Sequence, residues 1–103
     1  MQPEYVTIDG LAERLREELS VLSKPDAAWW ESHRVQPFPA TDGEHSHFVV
    51  AQSDERVLVF FDDEDEFGAA TLNAHGRISD AGLIGDLADA IHWFLSRLDQ
   101  EPT

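Results

Sequence analysis

The chain has 103 residues, a formal net charge of −14, 42% hydrophobic residues and no cysteine. That length fits one domain, and the apolar content supplies a core without metal or disulfide staples. Lack of cysteine removes disulfides, thiolate zinc sites and thiol nucleophiles, and seven Lys and Arg against twenty-one Asp and Glu disfavour binding to nucleic-acid phosphates or anionic lipid.

Residues 1–10 carry neither the basic nor the apolar segment of a secretory signal. No apolar run approaches the ~20 residues that span a bilayer, so no membrane association and a cytoplasmic location are expected. Residues 1–6 read as a frayed lead-in. Ile8, Leu11, Leu15, Leu19 and Leu22 then recur at three- and four-residue spacing, which predicts an amphipathic helix over 8–23. Thr7 or Asp9 can cap it, while Glu13, Arg14, Arg16, Glu17 and Glu18 fill its wet face. Ser23-Lys24-Pro25-Asp26 is a second start signal: a capping hydroxyl, an early proline and an acid three residues on. The short helix that follows holds Trp29 and Trp30, whose side chains leave a helix about 100° apart. One is expected in the core, the other partly exposed or beneath a loop.

Arg34-Val35-Gln36-Pro37-Phe38-Pro39 alternates but carries two prolines, the mark of an edge strand. A turn at 41–44 leads into a strand over 47–52, and a tight link at 53–56 leads into the most apolar strand, 57–61. That strand, V-L-V-F-F, breaks directly into five consecutive acids, Asp62 to Glu66, and closes on Phe67. Carboxylates cannot be buried unpaired, so the run predicts a solvated bend at the rim of the sheet. Residues 68–73 read as a further strand, whose small residues suggest close packing by a helix, and 74–76 as a turn. Leu83, Ile84, Leu87, Ala88, Ile91, Phe94, Leu95 and Leu98 form a helical stripe with Ser79 or Asp80 as its cap, although Gly82 and Gly85 weaken the first turns by up to ~1 kcal/mol each. Residues 101–103 read as a loose tail.

This order predicts an α+β two-layer sandwich, an antiparallel sheet of three or four strands flanked by N- and C-terminal helices. Along 57–61, alternation sends Val57, Val59 and Phe61 to one face and Leu58 and Phe60 to the other. Both faces are apolar. One set therefore needs a second cover, either the segment 29–38 or another subunit in a homodimer.

The acidic run resembles a calcium loop only superficially. Counted from Asp63 as position one, Phe67 stands at position five and Ala74 at twelve, so two essential oxygen ligands of an EF-hand are missing. Glu44, His45 and His47 form the alternative metal-ligand set, since imidazoles two residues apart share a side of an extended chain; a polar turn entering a strand is the competing reading. His33, His75 and His92 are scattered, on a surface or at helix boundaries. No phosphate loop, nucleophile elbow, H-E-x-x-H or dinucleotide fingerprint is present, so neither an enzyme nor a cofactor is expected. In class and charge alone the chain is similar to bacterial immunity proteins, nucleic-acid-mimicking inhibitors and secretion chaperones. The resulting expectation is a non-enzymatic interaction module that meets a basic protein partner. Asp62, Asp63, Glu64, Asp65 and Glu66 would steer the encounter, with Trp29, Trp30 and Phe67 as aromatic anchors.

Overall fold

The computed structural model describes residues 8–61 and 64–100. The lead-in at 1–6, the Thr7 cap, the tail at 101–103 and the acids Asp62 and Asp63 lie outside the described residues. Three helices, α1 (Ile8–Leu19), α2 (Lys24–His33) and α3 (Leu87–Gln100), accompany five strands. These are β1 (Arg34–Thr41), β2 (Ser46–Ser53), β3 (Arg56–Phe61), β4 (Glu66–Leu72) and β5 (Ile78–Gly85). The strands follow one another across the sheet as an antiparallel meander, β1-β2-β3-β4-β5. The α+β architecture agrees with the sequence reading, but the sheet has five strands where three or four were expected.

The extra strand is β5, whose Leu83 and Ile84 the sequence places in the last helix. Gly82 and Gly85 weaken a helix there, and Asp86 supplies a better start: its Oδ1 accepts the Asp89 amide at 3.0 Å. A carboxylate from α1 completes this helix N-terminus, as Glu18 Oε1 accepts the Leu87 amide at 3.1 Å. At the other end of the chain, α1 stops at Leu19, short of the predicted residue 23.

The helices lie on one face of the sheet. There Leu11 and Leu15 of α1, Trp29 and Trp30 of α2, and Leu87, Ile91 and Phe94 of α3 enclose Leu58, Phe60, Phe67 and Ala69 in one buried cluster. Both tryptophans are only 5% exposed, which corrects the expected split between core and surface. The reason is that α2 packs against α3 on one side and β2 on another, so directions 100° apart are both covered. Asp26 is buried with them at 3% exposure. Its amide meets Ser23 Oγ at 3.4 Å, while its carboxylate turns to α3, where His92 Nε2 stands 2.8 Å away.

The opposite face has a cover of its own making. Val49, Val57, Val59, Phe61, Ala70, Ile78 and Ala40 form a second buried cluster, with Val35, Phe38 and Leu72 packed against it. The sheet curls on itself until the end of β1 and the residue preceding β5 meet at an isolated parallel bridge between Thr41 and Arg77. Register shifts in β1, β2 and β5 supply the curvature, because each irregularity sharpens the local twist. Half of the expected cover, Val35 and Phe38, is therefore correct, and the tryptophans belong to the other layer. With Val57, Val59 and Phe61 sealed inside the curl, the apolar face that called for a second subunit is gone.

Candidate functional site

In an antiparallel meander, alternate connections fall at the same end of the sheet. The turn between β1 and β2 therefore comes to lie beside the turn between β3 and β4. That end carries Asp42, Glu44, His45 and His47 from the first turn, and Glu64, Asp65 and Glu66 from the second.

The first turn is organised by Asp42. Its Oδ1 accepts the backbone amides of Glu44 and His45, both at 2.8 Å, and its Oδ2 lies 3.3 Å from His47 Nε2. Thr41 Oγ1 closes the turn by donating to the His45 carbonyl at 2.9 Å and accepting the Gly43 amide at 3.0 Å. The amides of His45 and then Glu44, aided by the His47 ring, hold the Asp42 carboxyl well below the usual carboxylate range. A lowered folded-state pKa contributes stability above the unfolded value, and this is lost as pH falls through the folded one. The stability gap between the native chain and Asp42→Ala should therefore be full from pH 5 upward and narrow below about pH 4. Urea titrations at a series of pH values measure it, and a gap that widens in acid would refute this assignment.

The second turn is set by backbone bonds. The amides of Glu64 and Asp65 both reach the Phe61 carbonyl, at 3.1 and 2.8 Å. Asp65 adopts a left-handed φ of 58°, which aspartate tolerates better than most residues. One acid of the predicted set is bound internally: Arg14 Nη1 donates to Asp65 Oδ1 at 2.6 Å and Arg14 Nε to Glu18 at 2.9 Å. Its guanidinium also lies 5.4 Å from the ring centres of Phe60 and Phe67. Partial burial works against this charge, but hydrogen bonds and charges from Glu18 and Asp65 outweigh it and raise the Arg14 pKa.

Between these turns and β5 the seam of the curl opens into two adjoining cavities. A cavity of about 230 Å³ is walled by His45, His47, Phe61, Glu64 and Leu83, with Asp42 and Ala81 at its border. Asp42 and Ala81 also border a second cavity of about 640 Å³, which Glu44, Arg77, Ser79 and Asp80 line. His47 is 4% exposed and packs on Phe61 with ring centres 4.9 Å apart.

The predicted site residues thus divide. Glu64 and Glu66 are exposed at the rim, Asp65 is exposed but tied to Arg14, and Asp62 and Asp63 lie outside the described residues. The three aromatic anchors are corrected: Trp29, Trp30 and Phe67 are core residues, with Phe67 fully buried, and present no ring surface to a partner. Of the alternative metal set, Glu44 is exposed, while the His45 and His47 rings sit 6.2 Å apart, centre to centre. Among the described residues no group of three or more His, Asp or Glu is placed to hold a metal ion.

Sequence reasoning overlooked two features. The convergence of residues 42–47 with 64–66 follows from the meander and could have been drawn by counting turns. Leu83, an exposed apolar residue at the mouth of the seam, was hidden inside a helical pattern. No helix among the described residues is long and apolar enough to cross a membrane. Compared with known protein families, curated proteins and solved structures, the chain matches none of them.

Proposed function

We propose that this chain is a non-enzymatic interaction protein whose acidic rim engages a basic protein partner, in the manner of an immunity or inhibitory protein. The observation that supports this is the convergence of acids from two separate turns, Asp42 and Glu44 with Glu64, around an open seam, with Glu66 exposed on the same hairpin. Net charge alone gives attraction without address. A cluster of carboxylates around a concave seam gives both a steering field and a fixed docking geometry.

The test uses a capped twelve-residue peptide of Lys and Ser as probe, titrated at rising salt. Neutralising the rim with Glu44→Gln, Glu64→Gln and Glu66→Gln together should weaken binding about tenfold at low salt and flatten its salt dependence. The control triple Glu17→Gln, Glu31→Gln and Glu55→Gln removes the same charge from α1, α2 and the turn after β2, and should change affinity less than about twofold. Equal losses in the two triples would reduce the rim to net charge and defeat the proposal.

A further inference from the structure

On its α3 side, β5 borders another cavity, of about 540 Å³, walled by Ala69, Leu83, Ile84 and Trp93, with Arg56 and Asp80 at its polar margin. Leu83 and Gly82 are shared between this cavity and the His47 cavity of the rim, and Asp80 is shared with the larger acidic one. Leu83 is 49% exposed, which makes it and Val21, in the link between α1 and α2, the exposed large hydrophobics among the described residues. The volume lies within the roughly 300–1,000 Å³ of a small-molecule pocket, more than enough for one large side chain.

We infer that this cavity receives one large apolar side chain of the basic partner, a protein segment in which a Leu-, Met- or Phe-sized residue is flanked by Lys or Arg. The inference rests on the rim reading above and specifies its partner. Arg56 and Asp80 contribute one charge of each sign, so the cavity itself selects apolar area rather than net charge. Cavities edged by Asp42, Glu44 and Glu64 adjoin it across β5, so cations flanking the inserted side chain would fall beside carboxylates. Strand addition along β5 is disfavoured, because two register shifts and the left-handed Asp80, φ 53°, interrupt its outer edge. Insertion of a side chain needs no regular ladder. A second copy of this chain is opposed by the repulsion of two bodies each of charge −14. In such an interface the inserted side chain carries most of the affinity and the rim sets approach and register.

Two capped twelve-residue peptides of equal positive charge separate the claims, one of Lys and Ser, the other with two central Ser replaced by Leu. Anisotropy titrations of the full chain at low salt should show the Leu peptide binding about tenfold more tightly. Leu83→Ser, at a position 49% exposed and checked for an unchanged urea midpoint, should erase that preference and leave the salt dependence of both peptides intact. Equal affinity of the two peptides for the native chain, or an unchanged preference in Leu83→Ser, overturns the anchor cavity while the rim reading stands. Failure of both peptides to bind overturns the rim reading as well. Sedimentation of the native chain should give a monomer; a dimer that Leu83→Ser dissociates would assign the cavity to a second copy and overturn the inference.

Discussion

Phe67→Ala is expected to destabilise the fold by about 4 kcal/mol, a large share of the roughly 5–15 kcal/mol that holds a domain together. Phe67 is fully buried. Its ring lies 5.0 Å from that of Phe60 and 5.4 Å from the Arg14 guanidinium. Truncation therefore removes apolar burial, an aromatic contact and a seat for the cation that ties α1 to the acidic hairpin. Urea denaturation followed by tryptophan fluorescence measures the loss, with Trp29 and Trp30 reporting from the same cluster. Phe67→Leu keeps most of the volume and should leave binding of a cationic peptide unchanged. A binding defect in a fully folded Phe67→Leu chain would return this residue to the interaction surface.

The neighbouring residue tests the opposite layer. Gly68→Ala is expected to cost about 3 kcal/mol, the upper part of the usual range for overpacking. A methyl at Gly68 would collide with the Gly82 carbonyl oxygen on β5 and approach the Phe61 ring to 2.8 Å. A ring can tilt, but Gly82 is held opposite Ala69 in the sheet, and its backbone cannot withdraw without opening the β4–β5 ladder beside the seam. Combining Gly68→Ala with Phe61→Leu should therefore recover only a minor part of the stability. Full recovery in the double variant, measured by the same urea titration, would show that the backbone contact imposes no limit.

These two adjacent positions also show what was legible in the chain. Alternation along 57–61 divided Leu58 and Phe60 from Val57, Val59 and Phe61 correctly, because one side chain per face is a local property of any strand. The helix stripes were readable for the same reason. What covers each face was not local. The curl that seals Val59 and Phe61 closes where Thr41 meets Arg77, and no periodicity records which distant segments will meet. Strand β5 was misread because Ser79 and Asp80 resemble a helix cap and Leu83 and Ile84 continue the stripe of α3. The conflicting signal was present in Gly82 and Gly85, and Asp86 proved the better cap. For the site, the acids and histidines were conspicuous individually. Their meeting was a consequence of topology, and the loss of Trp29, Trp30 and Phe67 as anchors followed from helix packing that the sequence does not encode locally.

Backbone amide shifts of the full chain, recorded during titration with the Lys-containing peptide, test the central claim most directly. The account predicts that the perturbed amides cluster in residues 42–47, 64–67 and 79–84, at one end of the curled sheet and along its seam. Perturbations centred instead on the acidic face of α1, or spread evenly over all exposed carboxylate-bearing segments, would contradict it.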